Sequence, residues 1–415
     1  MTRLLLIILF FLISLLAVFE APAYYLWLLA IVVAEFPLVF VTISAVLVAS
    51  GFWLQKHQLA GTVIGVVSVI LYLSPIVRAY AVGGTLKDEL NTAFSLTGGD
   101  AGQPFSFSKL FIPTKDIACK TLTYINYADT ALTLNYYPSQ VAGKRPCVIV
   151  VHGGSWAKGD KAQLPELNSY LARKGYNVVS IDYRMAPKYK NPAPVMDLKE
   201  ALKYLRKESD KLNIDTNNFV LLGRSAGAQI ALLAAYTLHD KSIKGVIDFY
   251  GPADMVWGYS LPANPWIMDS RGVMEAYLGG SYAKVPQNYA ASSPIEFVDK
   301  DSPPTLIIHG HNDVLVAYEH SRRLSQKLEQ NGVKHYWLKL PWATHGFDFN
   351  LNGPGGQLST CAVERFLQAV SPQPPEGEGT ANLTHYRVLT SLKRLNTAKA
   401  IRHSTQPQMP LRRSP

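Results

Sequence analysis

The sequence predicts an α/β protein: a mostly parallel sheet with helices on both faces, preceded by an all-α transmembrane region. Three observations lead there. Short apolar runs alternate with helically spaced segments through the middle of the chain, which favours a parallel sheet with crossover helices. The first eighty residues are almost continuously apolar. A lone serine flanked by glycines, in Gly223-Arg224-Ser225-Ala226-Gly227, stands where an apolar run gives way to small, helix-forming residues.

With 415 residues, 48% of them hydrophobic, the chain can bury a full-sized core and still carry additions at either end. Its formal charge is +10, but Arg387, Lys393, Arg394, Lys399, Arg402, Arg412 and Arg413 against Glu376 and Glu378 place +5 of that after Val370. No basic patch interleaved with aromatics appears elsewhere, which argues against a nucleic-acid partner. Cys119, Cys147 and Cys361 are odd in number and far apart. They read as buried small hydrophobes, not as a disulfide framework or metal site.

Leu4 to Phe19, Tyr24 to Leu54 and Gln58 to Val77 are the apolar runs of the first segment. A crossing helix needs about 20 apolar residues, so three spans are expected within residues 1–83. Tyr24, Tyr25, Trp27, Phe52 and Trp53 sit near run ends, where amphipathic rings favour the headgroup level. Three crossings with Arg3 and Lys56 on the cytoplasmic side put everything after Val77 on the other side, periplasmic or lumenal. Removal of the first run as a signal peptide leaves two crossings and the same result. Glu35 with Pro37 interrupts the second run: a hairpin there would reverse the parity, while helix packing or a shifted boundary is the favoured account of the charge.

Residues 84–120 read as a linker or cap segment, and 121–370 as the catalytic domain. The expected strands are Leu132 to Tyr137, Cys147 to Val151, Asn177 to Ile181, Val220 to Leu222, Gly245 to Tyr250, Thr305 to His309 and His335 to Leu340. Helical spacing marks Lys161 to Lys174, Pro194 to Leu212, Ala226 to Leu238 and Tyr318 to Asn331. In such sheets chemistry gathers at the carboxyl ends of the strands.

Ser225 occupies such an end, on a sharp strand-to-helix turn that needs small residues at 223 and 227 to expose the hydroxyl. Val151-His152-Gly153-Gly154-Ser155-Trp156 follows an earlier strand. Its glycines let backbone amides approach an oxyanion, so Gly154 and Ser155, with Ala226, are the expected donors. His152 reads as a brace for that loop. A serine needs a base and the base an orienting carboxylate. Asp313 and His345 each follow a strand, and the chain order is serine, aspartate, histidine. A rival reading makes His309 and His311 a metal pair, but no cysteine or carboxylate cluster completes it.

Together these motifs make the segment from about Thr121 to Val370 resemble the α/β-hydrolase superfamily. The nearer likeness is to its hormone-sensitive-lipase-like carboxylesterases and its feruloyl and acetylxylan esterases. The resemblance rests on HGGSW from His152, DYRMAP from Asp182, GRSAGA from Gly223, YGPADM from Tyr250, HGHNDVLV from His309, THGF from Thr344 and the strand LTLNYYP from Leu132. Lipase-like members usually carry HGGG, so Ser155 and Trp156 lean toward the feruloyl and acetyl esterase side. Asp182, Arg184, Asp197 and Asp254 match positions that hold loops in place. Arg224 has no fixed role in the resemblance and reads as solvated or as favouring an acidic substrate.

The insertion at about 255–293 is aromatic and expected to cap the site, with Trp156, Trp257 and Trp266 lining the substrate pocket; core packing is the competing account of its rings. Residues 371–415 read as a flexible basic tail, with Asn382 in a glycosylation-type tripeptide. The expected function is a membrane-anchored serine carboxylic-ester hydrolase that forms an acyl-enzyme, uses no cofactor or metal and takes a small or lipophilic ester. An acyltransferase with the same triad and a non-catalytic binding protein on the same fold are the alternatives.

Overall fold

The computed structural model describes residues 1–97 and 102–373. The tail expectations, including Asn382, lie outside the described residues.

The later part of the chain is built on an eight-stranded sheet ordered β1-β2-β4-β3-β5-β6-β7-β8. Its strands are β1 (Lys120–Asn126), β2 (Ala131–Tyr137), β3 (Arg145–Val151), β4 (Asn177–Ile181), β5 (Ile214–Arg224), β6 (Ile243–Phe249), β7 (Thr305–Gly310) and β8 (His335–Leu340). From β4 to β8 all neighbours are parallel, while β2 runs antiparallel to both β1 and β4. All seven expected strands form. The additional strand, β1, is an edge strand whose sequence KTLTYIN is largely exposed, so it carries no apolar run to betray it. Every residue of β3 and β4 is buried, as a sheet covered on both faces requires. Each large apolar side chain so removed from water contributes roughly 1.5–3 kcal/mol.

Four helices precede this sheet: α1 (Thr2–Ser14), α2 (Tyr24–Glu35), α3 (Pro37–Ala49) and α4 (Gln58–Phe94). The expectation of three straight spans is corrected here. Among the described residues only α4 is long and apolar enough to cross a membrane by itself. Tyr24–Glu35 and Pro37–Phe52 pass that test only as a pair bent by 88°, and Thr2–Ala17 is shorter. The bend has two causes: Pro37 lacks the amide that would continue α2, and Glu35 is drawn away to the first turn of the last helix. Arg3 Nε donates to the carbonyl of Leu47 (3.0 Å) and Tyr72 Oη to that of Phe10 (2.6 Å), so α1, α3 and α4 pack side by side.

The linker beginning at residue 84 is also corrected. Helix α4 continues without interruption through that point, and Leu86, Leu90 and Phe94, spaced by one turn, are buried. Phe94 meets Phe366 of the last helix edge to face, and Tyr336 of β8 donates to Glu89 (2.6 Å).

Around the sheet lie α5 (Pro165–Arg173), α6 (Ala193–Lys207), α7 (Ser209–Leu212), α8 (Ala226–Thr237), α12 (Glu319–Gln330) and α13 (Pro354–Val370). The insertion after β6 forms three short helices, α9 (Met255–Ser260), α10 (Ser270–Leu278) and α11 (Pro286–Ala291). Two of the cysteines, Cys147 and Cys361, are buried; Cys119 is exposed, contrary to the sequence reading, because it immediately precedes the exposed edge strand.

Glu35 joins the two segments. It is 1% exposed, and its carboxyl accepts the amides of Gly355 (3.0 Å) and Gly356 (3.4 Å) in the first turn of α13. Those amides have no acceptor within their own helix. A Cβ on Gly353 would stand 2.2 Å from a Glu35 carboxyl oxygen, and one on Gly355 2.8 Å, so glycine at both positions admits the carboxyl.

Candidate active site

Ser225 sits between β5 and α8 with φ 53° and ψ −121°, a strained conformation for a residue with a side chain. The flanking glycines are steric necessities. A Cβ on Gly223 would lie 2.3 Å from Ala228 Cα, and one on Gly227 2.2 Å from the Val151 carbonyl.

The structure brings the three separated polar residues together. His345 Nε2 lies 3.0 Å from Ser225 Oγ, and its Nδ1 lies 2.7 Å from Asp313 Oδ2. The other oxygen of Asp313 accepts the amides of Leu315 and Val316, both at 2.9 Å, which fixes the turn after β7. Burial opposes ionisation of Asp313, but adjacent His345 and hydrogen bonds from His309 and His345 prevail and hold the carboxyl well below the usual carboxylate range. His309 is absorbed in this network: Nε2 faces Asp313 at 3.1 Å and Nδ1 faces Ser321 Oγ at 2.7 Å. It braces the carboxylate and shares no cluster with His311.

The loop after β3 takes the shape its glycines allow. Gly154 (φ 119°), Ser155 (φ 55°) and Trp156 (φ 57°) all have left-handed backbone, and a Cβ on Gly154 would collide with the Lys158 carbonyl at 2.0 Å. The amide of Gly153 is tied to Gln163 Oε1 at 2.8 Å. Ser155 and Ala226 both line the cavity holding Ser225, and Ala226, the first residue of α8, has an amide with no acceptor one turn back. His152 is buried, stacked on Tyr183 at 4.3 Å, as a loop brace should be.

That cavity encloses about 640 Å³. Trp156 reaches its wall but is only 4% exposed, stacked on Tyr277 at 4.5 Å with its indole N–H on Gln229. Trp257 and Trp266 do not line it, which corrects the pocket expectation. Trp257 packs against His320 and Arg323, and Trp266 points outward, 79% exposed. The wall is instead built by Met268, Val273, Met274 and Leu315, with Glu20, Ala21 and Pro22 from the segment between α1 and α2.

Two contributions escaped the sequence reading. Trp27 of α2 donates its indole N–H to the carbonyl of His345 at 3.0 Å, its ring 6.4 Å from the imidazole. As an aromatic near the end of an apolar run it carried only the signal of a membrane-interface residue. Arg224, expected to be solvated, is buried and ion-paired with Asp348, which Tyr250 also contacts. This pair pins the turn after His345 to the strand carrying Ser225. A guanidinium can be buried there because a carboxylate three residues past the histidine meets it. Asp182, Arg184 and Asp197 hold loops as expected: Asp182 binds Lys161 and Thr133, and Arg184 pairs with Asp197 at 2.9 Å. Asp254 accepts the Trp257 amide and binds Arg323.

A sheet of this order, with a strained serine turn after β5 and a histidine and an aspartate delivered by the loops after β8 and β7, gives the chain the α/β-hydrolase fold. Residues 135–328 match the family model described as BD-FAE. Esterase LipC of Mycobacterium tuberculosis is 32% identical over 242 residues, covering 54% of this chain and 58% of LipC. The probable carboxylic ester hydrolase LipM of the same organism is 28% identical over 249 residues, covering 55% and 56%. The chain thus spans a little over half the length of these curated relatives. An acetyl ester-xyloside bifunctional hydrolase from Caldicellulosiruptor lactoaceticus superposes with TM-score 0.52 at 22% identity, over 60% of this chain and 96% of that one. Thermogutta terrifontis esterase Est2 superposes with TM-score 0.51 at 22% identity, over 63% and 95%.

Proposed function

We propose that this protein is a membrane-anchored serine carboxylic-ester hydrolase in which Ser225, His345 and Asp313 are the catalytic residues. The observation that carries the reading is the continuous hydrogen-bonded line from Ser225 through His345 to Asp313, at 3.0 and 2.7 Å, with Ser225 and Asp313 on the wall of the cavity. Ser225 Oγ attacks the ester carbonyl carbon while His345 Nε2 takes its proton. The carbonyl electrons move onto oxygen, where the amides of Gly154, Ser155 and Ala226 receive the charge. Collapse expels the alcohol, which takes the proton from His345, and leaves an acyl-serine. Water, deprotonated by His345, then attacks that acyl group, and the acid departs as the serine recovers its proton. Asp313 keeps its charge and holds Nδ1, so Nε2 is the nitrogen presented to the serine. The relatives' printed activities support the ester as substrate, and Thermogutta terrifontis esterase 2 has been phosphorylated by paraoxon, as a reactive nucleophile allows.

The anchor is the apolar part of α1 to α4, up to Val77, and residues 121–370 form the catalytic domain with its cap at about 255–293. Apolar exposure along α1, α3 and α4, including Leu5, Leu9, Val39, Val46, Val63 and Ile70, supports lipid contact. We further infer that the catalytic domain is non-cytoplasmic. In support, Arg3 meets Leu47 at the end of α3, and Lys56 and His57 follow close behind, at the end of the helices remote from the sheet.

Hydrolysis of p-nitrophenyl esters of increasing acyl length by detergent-solubilised protein, beside Ser225→Ala, tests the assignment. Wild-type activity should fall at least 10³-fold in the variant, with unchanged thermal unfolding. Equal activity in both would remove Ser225 from the mechanism.

A further inference from the structure

One wall of the cavity, at Glu20, Ala21 and Pro22, lies directly after the first apolar run. The first apolar run, which begins in α1, finishes at Phe19, and that of α4 finishes at Val77, directly before Arg78. Val18, Phe19, Glu20 and Arg78 line one groove together with His311 and Asn312. Glu20 and His311 also line the cavity that holds Ser225. The level at which the two apolar runs give way to charged residues therefore lies beside the cavity wall.

The segment from Val18 to Ala23, whose Glu20, Ala21 and Pro22 line the cavity, is pinned to the sheet-bearing segment. Asn312 Nδ2 donates to the Val18 carbonyl (3.1 Å), Asn264 Nδ2 to that of Pro22 (3.3 Å), and the Tyr24 amide to that of Trp266 (3.1 Å). Around the pinned segment the surface is aromatic and apolar: Tyr25 is 82% exposed and Trp266 79%, with Tyr24 and Leu261 beside them. The 88° bend turns α2 broadside to α3. A helix at right angles to a membrane-embedded one lies along the bilayer surface, where tyrosine and tryptophan rings are favoured.

We propose that the active-site cavity opens onto the bilayer surface and that its substrates are esters of bilayer-resident amphiphiles, admitted between the Val18–Ala23 segment and the cap. The inference rests on the membrane-anchored hydrolase reading above. An aqueous route would require each long chain to leave the bilayer, at a cost that grows with every methylene. A mouth at headgroup level lets the ester reach Ser225 while the chain stays among apolar neighbours. Met268, Val273, Met274 and Leu315 supply those neighbours inside the cavity.

The test uses full-length protein in phosphatidylcholine vesicles doped with a phosphatidylcholine carrying a diazirine near the carbonyl end of one acyl chain. After photolysis of the Ser225→Ala protein, peptides containing Glu20–Pro22 and Leu261–Met268 should carry adducts, and excess long-chain ester should reduce them several-fold. Adducts confined to α1, α3 and α4 would overturn the proposal. In parallel, Tyr25→Glu with Trp266→Glu should lower hydrolysis of vesicle-borne p-nitrophenyl palmitate about ten-fold and leave p-nitrophenyl acetate, supplied from water, unchanged. Equal effects on the two substrates would also overturn it. Wild-type protein that cleaves the acetate but shows no cavity labelling sinks only the access route. Labelling of the cavity with no ester cleaved sinks the hydrolase reading and leaves the route standing.

Discussion

The catalytic segment and the helical segment before it are both written in apolar runs, yet only the first can be read run by run. In the sheet, runs of five to seven buried residues are bounded by turns, and each run is one strand. Before it, the run from Tyr24 to Leu54 becomes two helices meeting at 88°. The difference lies in where the partners come from. A central strand is satisfied by neighbouring strands and covering helices of its own segment, so period and length suffice. Glu35 is satisfied by Gly355 and Gly356, some 320 residues away in sequence, and that long-range contact sets where its helix ends.

If the first four helices were an independent anchor, changes in them would leave the catalytic segment untouched. Glu35→Ala is the strongest way to break that view. It strips two buried amides of α13 of their acceptor, and thermal or denaturant unfolding of the catalytic segment should show a loss of about 2–4 kcal/mol. Unchanged unfolding would make the helices a mere tether.

A second measurement sharpens the contrast from the other side, with a group belonging to the sheet alone. Asp248 of β6 is fully buried; burial pushes its carboxyl up to about 7, against the opposing effects of His309 and the Gly251 amide. Because the folded value exceeds the unfolded one, the protonated native carboxyl contributes stability that is complete below about pH 4 and is lost as pH rises to about 7. Asp248→Asn should flatten the fall in Tm across that window. A slope identical to wild type would assign the pH dependence elsewhere.

The smallest effect is expected at a second contact between the segments. Trp27→Phe keeps a ring beside His345 and removes the indole N–H from its carbonyl. Loss of one such bond is worth about 1 kcal/mol, so kcat should drop roughly 3- to 10-fold with KM nearly constant. A change in KM alone would make Trp27 part of the substrate wall and not a support for the histidine.

How much of the site was legible follows the same division. Ser225, Asp313 and His345 were legible because each motif sits at the end of an apolar run, and a parallel sheet gathers strand ends on one edge. The glycines at 223, 227 and 154 were legible because the turns they permit are local. Trp257 and Trp266 were placed in the pocket on composition, and composition does not give direction: one ring turns to His320 and Arg323, the other outward beside Tyr24. Arg224 could not be read either, since its charge is answered by Asp348, 124 residues on.

By itself the sequence determined the parallel sheet, the strained serine turn, the amide-rich loop after β3 and the serine, aspartate, histidine order. Tertiary structure decided the bend at Glu35, the Trp27 support, the identity of the cavity wall and the share that Glu20, Ala21 and Pro22 take in it. The reason is physical. Strand periodicity and turn sterics act between residues a few positions apart, whereas these other features depend on which surfaces meet when two separately written segments pack together.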